Sequence, residues 1–186
     1  IGSPQTLVMK MAAMKYFGSP SALDNRLVTM AHPDGVAAVI AKRGIVAEFA
    51  TPPYIRILLK HPGMHVILSN EDFSEADFML ICAAAGKRFV DGKPKLYEAT
   101  INALKDVITW MNTKPEEAAA FLAANQPGHL SAADWLAEMK QPGVHFSPAP
   151  NGLANLSAFM AKIGMTKKAG TYKELTWPNL WGAGGN

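Results

Sequence analysis

The chain has 186 residues, 49% of them hydrophobic and 18% charged, a balance that supports a packed core and excludes disorder as the main state. At roughly 100–200 residues per domain it makes one domain or two small lobes. Its net charge is +3, yet the 18 Lys and Arg are adjacent only at Lys42-Arg43, Lys87-Arg88 and Lys167-Lys168; with no basic stripe, no nucleic-acid partner is expected.

The chain opens on Ser3-Pro4, an N-cap followed by proline in the first helical turn. Leu7, Val8, Met11, Ala12 and Met14 then give an apolar helical face that ends at Gly18. Ile1-Gly2 reads as the end of a strand feeding that helix, and the missing initiator Met suggests a processed or truncated start. The βα alternation continues downstream. Leu27 to Met30 reads as a short strand, and His32-Pro33-Asp34 opens a helix through Ala41, ended by Gly44. Ile45 to Phe49 reads as another strand, Thr51-Pro52-Pro53 opens a helix over Tyr54 to Lys60, and His65 to Leu68 reads as a third strand. Short strands alternating with helices argue for parallel βαβ units, so the spacing predicts an α/β fold with an open-sheet lobe over residues 1–70.

Phe78 to Ala85 is the longest apolar run, at eight residues, far short of the roughly 20 that cross a bilayer. Its first part, to Ala84, reads as a further strand, with Cys82 as a buried structural thiol. Helices follow. Leu96, Ala99, Ala103, Leu104, Val107, Ile108 and Met111 share one helical face, the clearest periodicity in the chain. Pro115-Glu116-Glu117 opens a helix through Ala124, Ser131 caps a third, and Leu153 to Ile163 is a fourth, stopped at Gly164. An aromatic tail from Tyr172 to Trp181 is expected to dock.

Of His32, His61, His65, His129 and His145 only His61 and His65 stand four apart, with the helix stop Pro62-Gly63 between them and no cysteine nearby, and the sequence has no P-loop, no Gly-x-Gly-x-x-Gly and no Gly-x-Ser-x-Gly. Neither metal nor cofactor is called for, and no catalytic residue is assigned. Chemistry is left to loops at strand ends, since in open α/β sheets ligands settle outside the carboxyl ends of the strands, near helix N-termini whose free N–H groups attract polar groups. Three segments qualify. Ser3, Gln5 and Thr6 offer hydroxyls and backbone donors. His32 offers an imidazole beside the Asp34 carboxylate. Pro52 and Pro53 delete two donors, leaving a rigid step from which Tyr54 projects as an aromatic wall. Plain capping is the competing reading for each.

Asp34 to Phe73, with the helix Asp-Gly-Val-Ala-Ala-Val-Ile-Ala-Lys-Arg-Gly, the segment Ile-Val-Ala-Glu-Phe, the step Ala-Thr-Pro-Pro-Tyr and the segment His-Val-Ile-Leu-Ser, resembles the second lobe of periplasmic substrate-binding proteins of nitrate/sulfonate/taurine ABC importers. Lys93 to Ala120, with Ala103-Leu104 and Trp110-Met111-Asn112-Thr113-Lys114-Pro115-Glu116-Glu117-Ala118-Ala119, and the closing Tyr172 to Trp177 resemble later parts of that family. The resemblance implies two α/β lobes with ligand between them: residues 1–70 as the second lobe, residues 71–186 as a crossover plus the helical part of an incomplete first lobe. It places Ser3, Gln5, Thr6, Pro53 and Tyr54 at the cleft. It further implies a periplasmic, non-catalytic protein that captures a small polar or anionic organic solute and passes it to an ABC permease in the inner membrane. Relative to the family roughly the first third is lacking, so a fragment with uncovered apolar helix faces is expected. The same superfamily includes the pyrimidine-precursor synthase of thiamine biosynthesis, which needs a cysteine-rich motif where this chain has one Cys, and the ligand-sensing effector domain of a regulator.

Overall fold

The computed structural model describes residues 3–69, 72, 79, 81–126 and 130–185. Nine α-helices are defined among them: α1 (Pro4–Phe17), α2 (His32–Ile40), α3 (Tyr54–Leu59), α4 (Lys87–Gly92), α5 (Pro94–Thr113), α6 (Pro115–Asn125), α7 (Ala132–Met139), α8 (Leu153–Lys162) and α9 (Tyr172–Leu175), with 3-10 turns at Asp24–Arg26 and Pro178–Leu180.

The expected α/β fold, a periplasmic-binding-protein-like open-sheet lobe, is overturned: no strand exists among the described residues. Residues 27–30, 45–49 and 65–68 have the apolar, β-branched composition of central strands. However, no backbone hydrogen bond joins any of these segments to another. A strand is a property of a pair, because its N–H and C=O groups need a partner chain alongside. Side chains follow the backbone: Val46 is 94% exposed and Ile67 73%, where a parallel sheet would bury both. The strand predicted over Phe78 to Ala84 lies partly outside the described residues; Met79 and Ile81 to Ala84 are not in a strand. The strand end expected at Ile1-Gly2 lies wholly outside them. Cys82 is exposed, not the buried thiol that its apolar neighbours suggested.

The helices start and stop where local chemistry dictates. Ser3 caps α1, its Oγ accepting from the Thr6 N–H at 3.2 Å, and Gly18 ends it at φ 72, a left-handed position that glycine adopts without steric cost. Pro115 begins α6 with Glu116 and Glu117 in its first turn, favourably placed against the helix dipole. Ser131 and Asp134 form a capping box on α7.

The chain forms two compact units. The first comprises residues 1–73 and 114–145, the second 74–113 and 146–186. In the first unit α2 packs on α3 and α6 on α7. Val36, Val39 and Leu58 make one buried cluster; Ala119, Leu130 and Trp135 make another; Ile57 of α3 packs against both. α3 is also tied to α7 by charge. Arg56 Nε donates to Glu138 Oε1, on a side chain only 4% exposed, and Lys60 Nζ donates to Asp134 Oδ2 at 2.7 Å.

In the second unit α4 packs on α5 and α8 on α9. The aromatic tail docks by polar contacts: Trp177 Nε1 donates to the Ala85 carbonyl at 3.1 Å, and Tyr97 Oη donates to Asn179 Oδ1 at 2.8 Å. α5 has 20 residues and none is buried; Leu96, Leu104 and Val107 of its predicted stripe are exposed.

Candidate functional site

In the first unit three turns distant in sequence meet at one imidazole. His32 is the first residue of α2, where the N-cap Ala31 offers no side-chain cap and Pro33 fixes the first turn. Its ring is 28% exposed. Nδ1 lies 2.9 Å from Glu48 Oε1; a carboxylate only accepts, so Nδ1 carries the hydrogen. Nε2 lies 3.4 Å from the side-chain nitrogen of Gln5, in the first turn of α1. Tyr54, the first residue of α3, stacks on the imidazole with centroids 5.1 Å apart and planes 20° from parallel.

Glu48 is the anchor of this cluster. Its side chain is 10% exposed, and its second oxygen, Oε2, is buried with no hydrogen-bond partner among the described residues. A buried acceptor left unpaired costs about 1–3 kcal/mol, more when charged. The carboxylate lies flat on Gly35: a Cβ built there would stand 2.9 Å from Glu48 Cδ and 3.1 Å from Oε2. Glycine at position 35 is therefore what admits the carboxylate against α2. Among the described residues neither a lysine nor an arginine is hydrogen-bonded or ion-paired with Glu48 or His32.

The structure thus brings together Gln5, His32 and Tyr54 of the residues singled out from sequence. Ser3 and Thr6 stand in the α1 cap instead: the Thr6 N–H donates to Ser3 Oγ, and the two hydroxyls are 3.1 Å apart. Pro53 precedes α3, joined to Pro52 by a cis peptide bond, and the Thr51 carbonyl accepts from the N–H groups of Tyr54 and Ile55. One face of Tyr54 is taken by His32, while the ring also packs beside the Val36, Val39 and Leu58 cluster.

Two residues were missed. The carboxylate paired with His32 is Glu48, not its sequence neighbour Asp34, and Gly35 makes room for it. The one available signal was Glu48's place as the single charged residue in the apolar run Ile45 to Phe49.

Among the described residues no group of three His, Cys, Asp or Glu could hold a metal ion, and no helix is long and apolar enough to cross a membrane. No family model, curated protein or solved structure matches the chain.

Proposed function

We propose that this chain is a solute-binding component of an ABC importer, capturing a small polar or anionic organic solute of the sulfonate, nitrate or taurine type in the periplasm and passing it to a permease in the inner membrane. One observation carries the reading: Gln5, His32 and Tyr54, from three separate turns, converge on one partly exposed imidazole whose polar edge and aromatic neighbour suit a small polar organic molecule. The resemblance of residues 34–73, 93–120 and 172–177 to importer binding proteins supports it. It does not depend on an open sheet, because every group named stands at a helix start or in the segment leading to one.

The test is isothermal titration of the full chain with taurine, ethanesulfonate and nitrate, repeated on His32→Ala. Saturable binding of at least one solute, lost in the variant, is the expected result. Heats that do not saturate, or binding indifferent to His32→Ala, overturn the reading.

A second reading has one observation in its favour. The Glu48 carboxylate on Nδ1 orients the imidazole as it would a general base. Mass spectrometry of solutes incubated with the protein separates the two, since a binding protein returns them unchanged.

A further inference from the structure

α5 carries two apolar sides, and its own unit leans on only one of them. We propose that the other packs on α5 of a second copy of this chain, antiparallel, about a twofold axis passing between Ile101 and Asn102. No solute at His32 is involved, since every residue concerned belongs to α5.

At about 100° of turn per residue, Tyr97, Ile101 and Leu104 fall on one side of α5, where with Phe89, Trp177 and Leu180 they line a cavity of about 360 Å³. Leu96, Thr100, Ala103 and Val107 fall on the neighbouring side, in the alternating four-and-three spacing of a helix seam. All four are exposed, Leu96 at 53% and Val107 at 49%. The Thr100 hydroxyl donates back to the Leu96 carbonyl at 2.8 Å, so its hydrogen is already spent within the helix.

Two features fit this stripe to a second copy of itself. The first is its order. Reversed about the axis, Leu96 meets Val107 and Thr100 meets Ala103, large against large and small against small, as an isologous contact requires. The second is charge. Lys95 and Asp106 border the stripe on the edge away from the cavity, while Glu98 and Lys105 lie on the opposite face of the helix. Among the described residues neither Lys95 nor Asp106 has a hydrogen-bond or ion-pair partner. Within one chain they are about 16 Å apart along the helix, too far to pair. In an antiparallel pair the same edges meet, so Lys95 stands within about 3 Å along the axis of Asp106 of the second copy, and the twofold repeats the contact. A parallel pair would set both charges against the edge that carries Leu104, leaving them unpaired.

A single pair of helices about 30 Å long makes a small interface, so the dimer is expected to be weak, with a dissociation constant on the order of 0.1 mM. Sedimentation equilibrium of the full chain at low salt, from about 10 µM to 1 mM, brackets that value. The mass is expected to climb from 20.0 kDa toward twice that figure; a 20.0 kDa species throughout overturns the proposal. Ala103→Glu sets a charge in the middle of the exposed stripe and is expected to leave the chain monomeric. Association unchanged in that variant puts the contact elsewhere and overturns the proposal. Lys95→Asp and Asp106→Lys each set like charges opposite one another, and each is expected to weaken association by about fivefold or more. The two exchanges combined are expected to restore it, and because the two positions do not reach each other within one chain, restoration reports pairing between copies. Single exchanges that associate like the unaltered chain, or a combined exchange as weak as either, overturn the antiparallel pairing. Far-ultraviolet circular dichroism checks that each variant is folded.

Discussion

α7 and α5 show two fates for an amphipathic helix. α7 has only 8 residues, yet it buries Trp135 and Glu138; α5 has 20 and buries none. Length and periodicity favour α5, but burial depends on what lies opposite. α7 faces α6 and its Trp135 meets Ala119 and Leu130, while Arg56 and Lys60 of the α3 region bind its acidic residues. α5 meets α4 and the tail through Tyr97, and Leu96, Leu104 and Val107 stay exposed. A helical stripe is thus an invitation to pack, and stability comes only where a second element accepts it.

The widest gap should appear at Trp135. Trp135→Ala removes an aromatic side chain from a buried cluster and is expected to cost about 3–5 kcal/mol, read by urea unfolding followed through circular dichroism. A loss below about 1 kcal/mol would erase the contrast with α5.

Next comes the tie between α3 and α7. Glu138→Ala leaves Arg56 without its carboxylate and removes the acceptor of the Gln141 side chain, which donates to it at 3.1 Å. Arg56 is a quarter exposed, which moderates the penalty to about 2 kcal/mol. Because α3 also holds Tyr54 over His32, the His32 ring resonances should move in this variant; unchanged resonances would show that the tie does not position the site.

The α7 cap gives a smaller, pH-dependent effect. The Lys60 ammonium, then the Ser131 hydroxyl and backbone, hold the Asp134 carboxyl down from its ordinary 3.8 to about 2. The folded state therefore binds this proton less readily than the unfolded state, and the contribution is present above pH 3.8 and fades as pH falls toward 2. Asp134→Asn should flatten the acid limb of a stability profile across that window. Ser131→Ala, which removes the other half of the capping box, is expected to cost about 1 kcal/mol at neutral pH. An acid limb of unchanged slope in Asp134→Asn would remove Asp134 from this role.

Leu104→Ala should be the mildest. Although it lies on the strongest stripe in the sequence, its exposure predicts a change within about 0.5 kcal/mol in the same urea experiment. A cost near that of Trp135→Ala would mean that α5 is covered in solution, and the comparison with α7 would fail.

What the sequence could be read for divides along the range of the interactions involved. Ser3 with Pro4, Pro115 and Ser131 announce helix starts because the cap and the first turn are neighbours in the chain, and these starts stand in the structure. Composition alone made strands of residues 27–30, 45–49 and 65–68. Yet a ladder needs a partner that composition does not name, and no ladder joins them. The site divides the same way. Gln5, His32 and Tyr54 were legible as polar and aromatic groups in helix first turns, whereas their meeting joins residues 27 apart and packs α2 against α3. The role of Glu48 was illegible for the same reason, since its partner stands 16 residues earlier and its room is made by Gly35. The sequence by itself determined where α1, α6 and α7 begin, because those signals close within one turn of chain. Tertiary structure alone decided which apolar faces are buried, which segments lack a sheet and which carboxylate meets the imidazole, because each depends on a distant partner whose approach is set by packing.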